Sequence, residues 1–302
     1  MSLLGRVLIL GARGQLGSEL QRSFSGAGDL VLSDRTTVDL AREEQIRDCV
    51  RSAKPSLILN AAAYTAVDRA ESEPELALAI NGRTPRVLAE EANRLGALLV
   101  HYSTDYVFDG SKQGAWTETD PPNPLNVYGA SKLAGEEAIR EVGGRYLIFR
   151  TSWVYGPHGK NFLLTMLRLG RDREQLTIVD DQVGAPTTSL ELADATRTIL
   201  DGIGNGRFGA TEEWAGLYHM SCAGITSWYR FAGEIFAHSQ GILEGRAPRI
   251  IPIRSQDYPS AARRPANSVL SNQKLQSVFG VHLAPWQLAL ERVLSRLRET
   301  AT

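Results

Sequence analysis

Tyr128 and Lys132 stand four residues apart in the stretch Asn126-Val127-Tyr128-Gly129-Ala130-Ser131-Lys132, directly after Pro121-Pro122-Asn123-Pro124. On a helix this spacing brings a phenol and an ammonium to one face. An unperturbed tyrosine titrates near ~10 and exchanges protons poorly at neutral pH; a nearby positive charge favours its phenolate. Each unit of lowering corresponds to ~1.4 kcal/mol, and an acid whose pKa lies nearer the working pH is the better catalyst. The pair reads as an acid/base device in which Lys132 supplies the charge. Leu98-Leu99-Val100-His101-Tyr102 reads as a strand that delivers Ser103, Thr104 and Asp105 to its C-terminal end. A hydroxyl at Thr104 can hydrogen-bond both a substrate carbonyl and the phenol, holding the two at reacting distance.

These groups need a scaffold, and the first part of the chain describes one. The apolar run Leu3 to Leu10, broken by Gly5 and Arg6, is too short for a signal-peptide core or a spanning helix and reads as a buried strand. Gln15 to Phe24 carries Leu16, Leu20 and Phe24 at helical spacing. Between them Gly11, Gly14 and Gly17 are three apart, as a tight turn, a close approach to a pyrophosphate and close helix–strand packing require. A second strand, Asp29 to Ser33, ends at Asp34 and Arg35. Asp34 suits ribose hydroxyls and Arg35 a 2′-phosphate, so both NADH and NADPH are expected to be accepted, with a lean to NADPH. Ala41 to Arg51 suits a crossover helix, and Leu57-Ile58-Leu59 is a third strand, followed by the small residues Asn60-Ala61-Ala62-Ala63, past which a cofactor fits close to the backbone. Pro74 to Gly96 reads as one long helix with Leu76, Ile80, Val87, Leu88 and Leu95 inward.

The second half reads as a fifth strand at Tyr146-Leu147-Ile148-Phe149, a helix from Asn161 to Leu169, a sixth strand at Leu176 to Val179 and a helix from Leu190 to Leu200 packing back on the first half. Trp153 offers a flat face to a sugar or base. Arg263-Arg264 is a dibasic loop suited to a diphosphate. Trp286 to Leu297 forms helix core or a subunit contact.

A net charge of -1 over 302 residues gives no electrostatic case for nucleic acid or a membrane surface. Cys49 and Cys222 suit reduced thiols in a cytoplasmic enzyme. His101, His158, His219, His238 and His282 are scattered without metal-ligand spacing and read as structural.

The loop from Gly11 to Gly17, the segment Ser103-Thr104-Asp105-Tyr106-Val107-Phe108 and the Tyr128 to Lys132 motif together resemble the extended short-chain dehydrogenase/reductases. More narrowly the chain is similar to the dTDP-4-dehydrorhamnose reductase family, through Asn60 to Asp68, Pro124 to Gly129, Phe149 to Tyr155, Asp181 to Thr187 and Arg264 to Ser268. The resemblance implies an α/β fold, with a Rossmann-type doubly wound parallel sheet and a smaller C-terminal α/β substrate-binding domain. It divides the chain at 152/153, with about 176–202 returning to the dinucleotide-binding part. It implies Tyr128 as proton donor, Lys132 on the nicotinamide ribose and Thr104 orienting the carbonyl. Gly14, Gln15, Leu16, Gly17, Asp39, Leu40, Ala63, Tyr64 and Thr65 match cofactor-contacting positions. Thr104, Asp105 and Trp153 match contacts to the deoxysugar nucleotide. The family also shows Mg2+ held by glutamates near a homodimer interface; Glu191 lies one residue from one such position, and no ligand is assigned.

The activity implied is NAD(P)H-dependent reduction of the C4 ketone of dTDP-4-dehydro-6-deoxy-L-mannose to dTDP-L-rhamnose. A nucleotide-sugar epimerase or dehydratase is a second reading, opposed by Tyr106 standing where dehydratases carry a second acid. A non-catalytic NADP-binding regulatory subunit is the third, disfavoured by an intact Thr104, Tyr128 and Lys132.

Overall fold

Short apolar runs separated by helical repeats form parallel strands here, as continuous burial on both faces of a sheet requires. The computed structural model describes residues 5–243 and 247–301. Strand β1 (Arg6–Leu10) is followed by α1 (Gln15–Phe24), β2 (Asp29–Ser33), α2 (Glu43–Ala53) and β3 (Leu57–Asn60). Leu3 and Leu4, which the sequence joins to the first strand, lie outside the described residues. Helices α3 (Val67–Ala70) and α4 (Pro74–Leu78) lead through a π-turn at Ala79–Arg83 into α5 (Thr84–Leu95). Then come β4 (Leu98–Thr104), α6 (Val127–Val142) and β5 (Tyr146–Thr151).

The second half contributes β6 (Val154–Tyr155), α7 (Phe162–Asp172), β7 (Gln175–Val179), β8 (Val183–Gly184), β9 (Thr187–Thr188) and α8 (Ser189–Gly204). It continues through α9 (Thr211–Trp214), β10 (Gly216–His219), β11 (Thr226–Ser227) and α10 (Trp228–Ala237). Strand β12 (Arg249–Ile253) and helices α11 (Gln273–Phe279) and α12 (Trp286–Ala301) complete it.

The main sheet has the order β2-β1-β3-β4-β5-β10, every neighbouring pair parallel. The chain moves outward from β1 to β2 and then returns past β1 to β3, so the winding reverses between β1 and β3. Ligands of open α/β sheets gather at the carboxyl ends of the strands at such a point. One face of the sheet, with Val7, Leu59, Val100 and Phe149, packs under α1, α8 and helices of the second half; the other, with Leu8, Ile58, Leu99 and Ile148, packs under α2, α5 and α6.

Two expectations change. The strand at Gln175–Val179 exists but pairs with β12 in a separate two-stranded sheet, and the sixth strand of the main sheet is Gly216–His219. The long helix expected from Pro74 to Gly96 is interrupted by the π-turn, because Pro85 has no N–H with which to continue an α-helical ladder; Leu76 is exposed. The apolar side of α12 is core, as one of the two expected roles has it, with Leu290, Val293 and Leu294 buried inside the chain. Helix α8 does return to the first half, where Arg22 Nη2 lies 2.6 Å from Asp194 and Arg197 donates to the Ser23 carbonyl at 3.0 Å.

On the α6 side the strand ends turn polar. Side chains alternate along a strand, so Asn60, His101, Ser103 and Arg150 share the face that α6 covers. Arg150 grips Glu136 of α6 in a fork, Nε 2.9 Å and Nη2 2.6 Å from its two oxygens, and the Ser103 hydroxyl donates to the same carboxylate. Both ions are buried. Glu136→Ala, which strands the guanidinium without its partner, is expected to lower stability by about 3–5 kcal/mol in urea unfolding; a loss of roughly 0–1 kcal/mol, the scale of an exposed pair, would contradict it.

Candidate active site

The glycine loop links the end of β1 to α1. Gly11 has φ +76, and a Cβ on Gly17 would stand 2.1 Å from the Gly11 carbonyl oxygen, so the helix start is pressed against the turn. Gly14 is the N-cap of α1 and supplies no side-chain acceptor. The first backbone N–H groups of α1 are therefore presented outward with the positive end of the helix dipole, which is a cradle for a pyrophosphate. Leu16 turns its side chain into the core and leaves only its backbone N–H at this surface. Gln15 reaches the other way, accepting from Asn161 Nδ2 at 2.9 Å.

Beside this loop, Ala61 donates to the Leu10 carbonyl at 3.1 Å, which carries Ala62, Ala63, Tyr64 and Thr65 along the same sheet edge. Their position is fixed by Asn81 of the π-turn, fully buried, whose Oδ1 accepts from Tyr64 N at 2.8 Å and whose Nδ2 donates to the Tyr64 carbonyl and the Ser131 hydroxyl, both at 3.0 Å. One amide thus ties the cofactor-side loop to α6. Tyr64 donates its hydroxyl to Glu73 at 2.6 Å, and Thr65 is exposed.

At the end of β2, Asp34 is already engaged: Arg13 Nε lies 2.7 Å from one oxygen, and Thr36 donates its backbone N–H to the other at 2.7 Å. Hydrogen bonds from Thr36, with the Arg13 charge, hold its carboxyl below the usual range. Arg35 is exposed. Asp39 accepts from Ala41 N, and the Leu40 carbonyl accepts from the Thr84 hydroxyl, so these two shape the loop before α2.

The acid/base groups converge where β4 ends and α6 begins. Asn126 caps α6, accepting from Gly129 N at 2.8 Å, and starts the helix one residue before Tyr128. The Tyr128 phenol is hydrogen-bonded to Thr104, and the Thr104 hydroxyl donates to Asp105 Oδ1 at 3.1 Å. Burial pushes the phenol up to about 12, the Thr104 hydrogen bond opposing it. Burial also raises the Asp105 carboxyl to about 7. Lys132, fully buried, is lowered by burial to about 8, with Glu136 opposing. Its Nζ donates to the Tyr102 carbonyl at 2.6 Å and meets His101 Nε2 at 3.2 Å. Burial thus sets the direction for Tyr128, above its ordinary value, while Lys132 is engaged by groups of β4.

Around this centre, Tyr106 packs edge-on against Tyr128 with ring centroids 5.6 Å apart. Arg264 borders Tyr106, and its Nη2 lies 2.7 Å from Asp68. The guanidinium is thus near the centre but paired to a carboxylate. Trp153 has a positive φ of 49 and is stacked on Trp228 at 3.6 Å, so one of its faces is taken and not offered to a ligand.

The family described as RmlD substrate binding domain matches residues 5–299. The chain belongs to this family. It is 50% identical over 289 residues to a dTDP-4-dehydrorhamnose reductase of Burkholderia thailandensis, covering 94% of this chain and 96% of that one. It is 44% identical over 301 residues to the enzyme of the same name from Escherichia coli K12, covering 97% and 98%. A crystal structure of dTDP-4-dehydrorhamnose reductase from Bacillus anthracis in complex with NADP superposes with a TM-score of 0.89 at 35% identity, covering 97% and 99%.

The magnesium ion that the resemblance implies finds no ligand set within this single chain among the described residues. Glu191 is paired with Arg292 and accepts from Ala284 N at 3.0 Å, and among the described residues no group of three or more His, Cys, Asp or Glu side chains could hold a metal ion. No helix is long and apolar enough to cross a membrane among the described residues. Sequence reasoning missed Arg13, Asn81 and His101. Only His101 carried a local signal, an ionisable residue inside the apolar run that ends at Thr104.

Asp105 gives the site a pH signature. Its folded pKa of about 7 exceeds the ordinary 3.8, so between those values the folded protein holds a proton the unfolded chain releases, and stability falls as pH rises through that window. Asp105→Asn is expected to flatten this decline in thermal unfolding across pH 4–8; parallel Tm curves for the two proteins would contradict it.

Proposed function

We propose that the protein reduces the C4 ketone of dTDP-4-dehydro-6-deoxy-L-mannose to dTDP-L-rhamnose with NADPH as the preferred reductant. The observation that carries this reading is the convergence of Tyr128, Thr104 and Lys132 at the sheet edge next to an open pyrophosphate cradle. The reduced nicotinamide supplies hydride to the carbonyl carbon when bound. The Gly11 to Gly17 loop holds the diphosphate on backbone N–H groups. Lys132, with two contacts spent on Tyr102 and His101, has a donor left for the ribose hydroxyls. Tyr128 gives its proton to the carbonyl oxygen, and Thr104 keeps that oxygen and the phenol in line. Asp105 and Arg264 border the sugar nucleotide, and Trp153 meets it by its edge or remaining face.

Arg13 supports the coenzyme preference. It neutralises Asp34 and, with Arg35, leaves two guanidinium groups where the adenosine ribose arrives, an arrangement suited to a 2′-phosphate. In this reading residues 1–152 hold the dinucleotide, with α8 as part of that half, and 153–302 mainly shape the sugar site. The water-soluble reactants suit a cytoplasmic enzyme.

The test is loss of NADPH or NADH absorbance with the sugar nucleotide generated in the same tube. Turnover to dTDP-rhamnose is expected, faster with NADPH at limiting coenzyme. Tyr128→Phe should bind coenzyme nearly as well yet turn over at least ~100-fold more slowly. Bound coenzyme with no oxidation by the wild-type protein would sink the reading in favour of another nucleotide sugar or a regulatory subunit.

A further inference from the structure

The most unusual polar contact in the interior is the row Asn60, His101, Lys132. Asn60 and His101 are register partners on β3 and β4, and both side chains lie on the α6 face. Asn60 Nδ2 is 3.0 Å from His101 Nδ1, and His101 Nε2 is 3.2 Å from Lys132 Nζ. Asn60 Oδ1 accepts from Ala62 N at 3.3 Å, within the loop assigned to the cofactor. All three side chains are about 1% exposed, so water does not stand in for a missing partner. We propose that His101 is a positioning residue that fixes the Lys132 amine and, through Asn60, joins it to the backbone of the loop after β3. Its catalytic consequence rests on the reductase reading above.

Imidazole suits this place because it serves either state of the lysine. Burial, followed by the Lys132 charge, pushes His101 well below 6.5, so it stays neutral in the working range. A neutral ring has one donor and one acceptor nitrogen. With Asn60 Nδ2 donating to Nδ1, Nε2 carries the proton and donates to the neutral amine; with the other tautomer, and the Asn60 amide turned so that Oδ1 accepts from Nδ1–H, Nε2 takes a charge-assisted hydrogen bond from the ammonium. The charge-assisted bond is the stronger. Removing the ring therefore penalises the ammonium more than the amine and lowers the Lys132 pKa further. The other groups facing Lys132 leave that direction unchanged: Tyr128 and Glu136 lie one turn away on α6, Glu136 is already forked by Arg150 of β5, Asp105 follows β4, and the π-turn presents neutral Asn81.

The test reads Lys132 with and without catalysis. Lysine 13Cε NMR of the free protein, with the Lys132 signal assigned by Lys132→Met, is expected to give a titration near 8 in the wild type, about one unit lower in His101→Phe, and near the wild-type value in His101→Gln, whose amide again offers an acceptor. The alkaline limb of kcat is expected to move with it while the sugar-nucleotide KM holds. Asn60→Leu, which leaves the ring unoriented, should move both as well and serves if His101→Phe does not fold. An unmoved Lys132 titration in folded His101→Phe or Asn60→Leu, or a shift in His101→Gln as large as in His101→Phe, overturns the proposal. A moved titration with an unmoved kcat limb overturns the positioning role. If the wild-type protein does not turn over this sugar nucleotide, the reductase reading fails while the NMR titration still decides the link between His101 and Lys132.

Discussion

Lys132 and Glu136 are buried one helical turn apart beneath α6, and the arrangement of the sheet edge follows from keeping both satisfied. An ion removed from water costs roughly several kcal/mol unless a partner of good geometry meets it. Neither can be met from within a helix, whose own backbone groups are already paired. The partners come from two adjacent strands, β4 and β5: Tyr102 and His101 for the ammonium, Ser103 and Arg150 for the carboxylate. Parallel register makes this economical, since Asn60 stands opposite His101 and Ser103 opposite Arg150. A slip of one residue would place those side chains on the apolar face under α1 and α8 and strand both ions.

The same constraint explains how the loop after β3 and helix α6, far apart in sequence, hold one geometry. Asn81 binds Tyr64 of the loop and Ser131 of the helix, Asn60 binds Ala62 and His101, and Asn126 caps the helix while its Nδ2 donates to the Arg263 carbonyl at 2.7 Å. Neutral amides are well suited to this work because each offers donors and an acceptor without adding charge. The groups left incompletely used are the ones the proposed reaction draws on: the Tyr128 phenol, one donor on Lys132 and the N–H groups at the start of α1.

Much of this was legible in the sequence where the signal is local. Strands β1 and β3 to β5 are buried on both faces and read as apolar runs; the glycine loop and the Tyr128-to-Lys132 spacing are set by backbone and helical geometry. What failed depends on distant partners. Gly216–His219 is short and opens with a glycine, and only pairing with β5 makes it a strand. The partner of Gln175–Val179 lies in β12, and Trp228 covers one of the two faces of Trp153. Arg264 belongs to the expected loop, but its carboxylate, Asp68, comes from α3. His101 reads as structural from the sequence because no periodicity links a strand residue to a lysine on the next helix.

The central claim is that this site performs net hydride transfer to the sugar, not a transient oxidation by a retained coenzyme. It is tested most directly by incubating the enzyme and dTDP-4-dehydro-6-deoxy-L-mannose with NADPH deuterated at nicotinamide C4, each face in turn, and examining the product by NMR. The account predicts dTDP-rhamnose carrying deuterium at sugar C4 from one of the two labelled faces and not the other. Product without deuterium from either label, or a sugar altered with no coenzyme consumed, would contradict it.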